Sequence, residues 1–288
     1  MTWTLSAFAD EAGPTADEQI RALADAGICQ IDIRGIEGHN IVALPLDLAE
    51  GIRAKLDAAG VSVCMFGSPI GKIDIADDFE PELEKLDHLG RLGPLFECRA
   101  VRLFSYFNKN EAPADDWRRE SLERLRRLRD RAGELGLVLY HENERKIYGD
   151  RCPEIELLAA ELRDGDRFRL IFDFDNFNQS GDDVWDNWCR LRDDTDAFHL
   201  KDSNDRSEHV PIGQGEGCVR RILADALAAG WSGPLSLEPH LKHSAAVTAT
   251  GPHGKAHQSF TSLTEAECFA EAARCALEMM GELSAPVK

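Results

Sequence analysis

Short apolar runs alternate with amphipathic helical stretches eight times along this chain, and the runs start roughly thirty to forty residues apart. A strand that is followed each time by a helix returns to pair in parallel with the previous strand, and eight such units close a barrel ringed by helices. The expected architecture is α/β, a single (β/α)8 barrel with residues 1–288 as one domain. A doubly wound open sheet is the competing arrangement, but no GxGxxG follows the first strand. No internal repeat, low-complexity tract or linker divides the chain.

Thr4–Phe8 reads as the first strand, and Thr15 with Glu18 as a capping box for a helix that Gly27 stops. Further strands are expected at 28–33, 61–66, 100–104, 137–141, 168–172, 196–200 and 234–237. The helices between them carry stripes such as Leu48, Ile52 and Leu56, and Cys152 with Pro153 opens one that runs to Leu162. The polar stretch 241–258 is the longest irregular segment and is expected to form a flap over the barrel mouth.

Four successive strands end in groups that bind metals. Leu137-Val138-Leu139-Tyr140 runs into His141 and Glu142, Leu170-Ile171-Phe172 into Asp173, Ala197-Phe198 into His199, and Leu235-Ser236-Leu237 into Glu238. In a barrel the C-terminal strand ends face the catalytic mouth. Glu142, Asp173, His199 and Glu238 then meet on one side of it, an O/N set suited to a hard or borderline divalent cation. Arg102, inside the fourth strand, needs a carboxylate partner or an anionic site to face.

Composition narrows the function. The formal charge of −19 disfavours nucleic acid as a partner. Eight scattered cysteines without a CxxC pair suit a reduced, cytoplasmic protein. The N-terminus lacks a basic region followed by an apolar one, and nothing approaches a membrane span.

HENERKIYGD at His141–Asp150, FDFDNF at Phe172–Phe177, HLKD at His199–Asp202, GQGEG at Gly213–Gly217 and LSLEPH at Leu235–His240 together resemble the sugar phosphate isomerase/epimerase family. That family has the xylose-isomerase-like TIM barrel of the AP-endonuclease-type superfamily. FADE at Phe8–Glu11, IDIRGIEGHN at Ile31–Asn40 and GSPIGK at Gly67–Lys72 are similar to one branch of it. The resemblance spans nearly the whole chain in order.

It implies one divalent metal ion (Mn, Mg, Co or Zn) on Glu142, Asp173, His199 and Glu238, with Glu142 and Glu238 exchanging protons with opposite faces of an enediolate. The implied activity is isomerase or epimerase chemistry on a small sugar, sugar acid or keto-polyol, and a homodimer is compatible with it. A dehydratase of an inosose-like ketone begins from the same intermediate. In several relatives the third residue after the ligand Asp is a His; here it is Asn176, which cannot act as a base. That also weighs against an endonuclease IV-like repair enzyme, which needs further His ligands. A barrel that only binds has no need of two glutamates around a cation.

Around this set, Asn176 and Gln179 can reach sugar hydroxyls. Lys201 can neutralise an anionic substrate group or pair with Asp202 or Glu142. Glu144 is a substrate contact or an ion-pair partner of Arg145 or Lys146. Arg34, Lys72 and Lys146 lie in other rim loops and can bind a carboxylate or phosphate, or remain solvated. Gly213, Gly215 and Gly217 admit backbone N–H groups to an anion, or simply form a tight turn. His141, His209 and His240 are supporting groups rather than ligands.

Overall fold

The computed structural model describes residues 3–251, 254–285 and 287. Eight parallel strands close on themselves: β1 (Thr4–Ala7), β2 (Gln30–Ile33), β3 (Ser62–Phe66), β4 (Ala100–Leu103), β5 (Val138–Glu142), β6 (Phe168–Asp173), β7 (Ala197–Leu200) and β8 (Pro234–Leu237). Each pairs with its neighbour in sequence, and β8 returns to β1 with Ser236 opposite Ser6. The strand and helix alternation therefore closes as a (β/α)8 barrel.

The helices are α1 (Ala16–Ala26), α2 (Leu46–Ala59), α3 (Glu80–Phe96), α4 (Ala114–Glu134), α5 (Cys152–Leu162), α6 (Phe174–Gln179), α7 (Val184–Leu191), α8 (Val219–Ala228), α9 (Ala245–Ala249) and α10 (Glu265–Glu282). Thr15 and Glu18 cap α1 reciprocally, and Gly27 ends it at φ 70°. Thr264 and Glu267 repeat the reciprocal cap on α10. Among the described residues no helix is long and apolar enough to cross a membrane.

Strand parity decides what enters the barrel. Met65, Val138, Tyr140, Ile171 and Ala197 form an apolar cluster of their own, separate from the larger one packed under the helices. Two residues further along the same strand faces stand Glu142, Asp173 and His199. The apolar cluster thus floors the site, and on β5, β6 and β7 the next inward position carries Glu142, Asp173 and His199. Outward positions pack as aromatics: Phe172 meets Trp188 with ring centroids 5.9 Å apart, and Phe198 meets Trp231 at 4.6 Å.

His141 has the opposite parity to Glu142. Fully buried, it stacks on Phe168 at 6.4 Å and has no hydrogen-bond partner among the described residues. Burial pulls its pKa down to about 3 against a small opposing effect of Glu142. Below pH 6.5 the unfolded chain therefore binds a proton here that the folded one does not, so stability falls as the pH is lowered toward the depressed folded value. In urea unfolding at pH 7.5 and pH 5, His141→Leu should lack about 2 kcal/mol of the wild-type acid loss. Equal losses in both proteins would mean that His141 is not held neutral.

The segment 241–258 is less irregular than its composition suggests. It contains α9, capped by the Ser244 hydroxyl, and Lys255–Ala256 pairs in parallel with Glu208–Val210. That strand in turn pairs antiparallel with Asp202–Ser203. Pro252 and His253, within the segment, lie outside the described residues.

Candidate functional site

The ends of β5, β6, β7 and β8 bring Glu142, Asp173, His199 and Glu238 together, with one ligand atom from each lying within 4.8 Å of the others. All four are buried, with relative exposures of 2 % or less. His199 Nδ1 lies 3.3 Å from Glu142 Oε1, 3.2 Å from Glu238 Oε2 and 3.9 Å from Asp173 Oδ2.

Asp173 and Glu238 each spend one oxygen on a hydrogen bond within the protein, and Glu142 spends both. Asp173 Oδ1 accepts the Asn176 N–H at 2.7 Å, which caps α6, a helix the strand and helix pattern does not mark. Glu238 Oε1 accepts from Arg34 at 2.8 Å and Arg102 at 3.2 Å. Glu142 Oε2 accepts from Arg102 at 3.2 Å. Asp173 Oδ2, Glu238 Oε2 and His199 Nδ1 remain without a hydrogen-bond partner among the described residues, although Lys201 Nζ sits 3.1 Å from Asp173 Oδ2. Buried polar atoms left open in this way mark a place for a ligand or ion. Three carboxyl groups and an imidazole are a donor set that fits a divalent cation.

The charge on each group is set by burial and by its neighbours. Burial pulls the His199 imidazole down, but Glu142 and Glu238 outweigh it and push its pKa up to about 10. Burial pushes Glu238 up, yet Lys201 and Arg102 hold it well below the usual carboxylate range. Burial drives Asp173 well above that range, with Lys201 opposing and Glu142 reinforcing. Glu11 is pushed up to about 8 by burial, against the pull of Arg34. Without a cation, the centre holds negative charge only where Arg, Lys or a proton offsets it.

The other expected site residues divide. Lys72, Glu144, Asn176 and Lys201 border the inner cleft beside Glu142 and Glu238. Asn176 Nδ2 donates to Glu142 Oε1 at 3.1 Å and so orients that carboxylate. Lys72 pairs with Glu144 at 2.8 Å, an ion pair that bridges two rim loops. Arg34 is buried on Asp10 and Glu238. Gln179 Nε2 lies 3.4 Å from Asp175 Oδ1 and borders neither the inner cleft nor the chamber outside it.

The glycine triplet does meet an anion, and the anion is internal. The N–H groups of Gly213, Gly215 and Gly217 donate to the Asp202 carboxylate at 2.9, 3.0 and 2.9 Å. Burial still raises Asp202 to about 6, with those N–H groups opposing. A Cβ on Gly215 would come within 2.4 Å of Asp202 Oδ1 and of the Ser203 carbonyl oxygen. Gly215→Ala should therefore cost about 3 kcal/mol in urea unfolding. Gly51→Ala, in α2 with open space around it, should be neutral or stabilising by up to about 1 kcal/mol. Similar effects at the two positions would dismiss the packed turn.

Strand-end residues alone do not mark several supports. Arg102 bridges Glu142 and Glu238, and Phe8 carries Arg34 and Arg102 over its ring at 5.0 and 4.9 Å and meets the edge of His199. Asn143 clamps the Asp173 backbone, accepting at 2.8 Å and donating at 3.1 Å. Asp10 and Glu11 follow the first strand as acids, the same signal that marks the other four, and both bind Arg34. His209 pairs with Asp175 at 3.2 Å, and the His240 ring lies 3.5 Å from both Glu11 and Glu238.

Comparison with known proteins identifies the family and the fold. The family model described as xylose isomerase-like TIM barrel matches residues 20–266. No curated protein matches the sequence. Among solved structures, D-psicose 3-epimerase from Clostridium cellulolyticum H10, crystallised with D-tagatose, superposes with a TM-score of 0.74 at 12% identity over 99% of this chain and 100% of that one. The 3-keto-D-glucoside 4-epimerase of E. coli gives 0.69 at 14% identity over 98% and 100%. A probable 3-DHS dehydratase of petrobactin synthesis from Bacillus anthracis gives 0.70 at 16% identity over 96% and 99%. At these identities the likeness is one of fold.

Proposed function

The chain belongs to the xylose isomerase-like TIM barrel family, and from that premise we propose that it is a divalent-metal-dependent isomerase or epimerase of a small sugar, sugar acid or keto-polyol. The observation that carries the reading is the convergence of Glu142, Asp173, His199 and Glu238 with Asp173 Oδ2, His199 Nδ1 and Glu238 Oε2 left open. These four residues would hold the cation. When bound, it supplies Lewis acidity, polarising a carbonyl and offsetting charge on oxygen.

The chain's own groups supply the proton traffic. Glu142 and Glu238 end β5 and β8, the two limits of a four-strand arc, and so reach the centre from different sides. Arg102 touches both and favours their anionic forms, in which a carboxylate accepts a proton. One glutamate, as the anion, removes a proton from the carbon beside the carbonyl. The other, protonated from solvent before the turnover, delivers its own proton to the neighbouring carbon or to the opposite face, and solvent then restores both protonation states. Asn176 and Arg102 fix the orientation of Glu142, while Lys201 offsets negative charge on the Asp173 side of the cleft.

The test is metal content by elemental mass spectrometry on protein purified without chelator, followed by a ketose and keto-polyol panel in heavy water with that metal restored. About one metal per chain, with deuterium entering a substrate, is the expected result. Loss of a hydroxyl from the product would assign the dehydratase instead. No metal under any loading condition would sink the four-ligand centre.

A further inference from the structure

Outside the inner cleft the barrel mouth opens into a chamber of about 980 Å³, at the top of the roughly 300–1,000 Å³ spanned by small-molecule sites. The inner cleft itself has room for only about 10 Å³, the space of one water-sized sphere. Both are bordered by Lys72, Arg102 and Thr250. A molecule whose reacting end reaches Glu142 and Glu238 therefore has most of its body in the chamber.

The chamber inverts the charge of the protein. The chain carries −19, yet Arg34, Lys72, Arg102, Lys109 and Lys146 line this space against one described carboxylate, Asp10. Arg34 already binds Asp10, Lys72 binds Glu144, and Arg102 binds Glu142 and Glu238. Among the described residues Asp74 and Asp150 take the backbone N–H groups of Lys109 and Lys146, and no carboxylate forms an ion pair with either ammonium group. They are the cations left to meet a ligand.

Their backbones are held in place. The loops after β3, β4 and β5 are stitched into a row by bridges from Asp74 to Phe107 and from Phe107 to Ile147. Asp74 Oδ2 accepts the Lys109 N–H at 2.6 Å, and the Lys109 ammonium lies 5.3 Å from the Phe107 ring centroid. Lys146 adopts φ 68°, a costly conformation for a residue with a side chain, and its N–H is held by Asp150 at 2.8 Å. Ile36, Pro69, Phe107, Ala245, Ala246 and Ala249 give the same space apolar walls.

We propose that the substrate is an organic acid larger than a free monosaccharide, with an apolar body seated between Ile36, Phe107 and the α9 alanines and a carboxylate or phosphate held by Lys109 and Lys146. This deepens the isomerase or epimerase reading and rests on it for the position of the reacting end. Charge selects the ligand and the apolar walls admit its bulk.

The test uses calorimetric binding of three probes to the full chain at low ionic strength: p-nitrophenyl β-D-glucoside, p-nitrophenyl β-D-glucuronide and p-nitrophenyl phosphate. At least one anionic probe should bind about tenfold more tightly than the neutral glucoside, and that preference should vanish in Lys109→Glu/Lys146→Glu. The glucuronide leading identifies a carboxylate as the anion; the phosphate leading identifies a phosphate. Equal binding of neutral and anionic probes, a preference that survives in the double variant, or no binding of any probe overturns the proposal. Metal content, measured separately on both proteins, distinguishes failure of the chamber from failure of the metal centre.

Discussion

Replacing Glu238 with Gln should lower metal affinity at least about 100-fold and substrate hydrogen exchange by about 10²–10⁴-fold while the barrel stays folded. The variant keeps the shape of the side chain but loses its charge. It also adds an NH₂ group, which cannot face Arg34 and Arg102, both donors to Oε1 at 2.8 and 3.2 Å. The amide oxygen will take that side, turning the NH₂ toward His199 Nδ1, where Glu238 Oε2 now lies at 3.2 Å. A donor then occupies the direction in which a cation needs an anion. Titration calorimetry with Mn²⁺ or Zn²⁺, circular dichroism and deuterium uptake read the three effects separately. Unchanged metal affinity and exchange would remove Glu238 from the centre.

Arg102→Leu should cost about 3–5 kcal/mol of stability at pH 7 in the presence of chelator. Arg102 is 3% exposed, and its guanidinium donates to Glu142, Glu238 and the carbonyls of Gly67 and Ser68. Its loss leaves two buried carboxylates with less compensation. Burial raises both pKa values, but His199 and Arg102 at Glu142, and Lys201 and Arg102 at Glu238, hold both below the ordinary range. A depressed carboxylate contributes stability above its unfolded value, near 4.5, and loses it as pH falls through the folded value. The wild-type advantage should accordingly be large at pH 7 and shrink as both proteins are acidified below about pH 4.5. A saturating divalent metal should recover part of the loss, since it supplies the missing positive charge. Urea midpoints with and without metal test this, and a loss under 1 kcal/mol at pH 7 would show that the glutamates do not depend on Arg102.

Much of this molecule was legible along the chain because the relevant information is local. A period of two ending in a polar group marks a strand and its rim, as at Ile171 and Asp173, while Leu48, Ile52 and Leu56 mark a helix face. The reciprocal cap at Thr15 and Glu18 lies within one turn, so sequence spacing alone specifies it. Closure into a barrel follows from repeated parallel return, and the strand ends then share one mouth. The helix α6 escaped this reading because Phe174–Gln179 is too short for a stripe, and its start depends on Asp173 serving both strand end and cap.

By itself the sequence determined the repeating unit, the parity of each strand and hence the four groups that reach the mouth. Only the tertiary structure decided how charge is shared there. It assigned Arg102 to two glutamates, Lys72 to Glu144, Lys201 to Asp173 and the glycine N–H groups to Asp202. The reason is physical: a side chain's own strand sets which face it takes, through bonds two residues long. Its partner is set by position around the barrel, where strands distant in sequence meet and burial forces each charge to find the nearest opposite one.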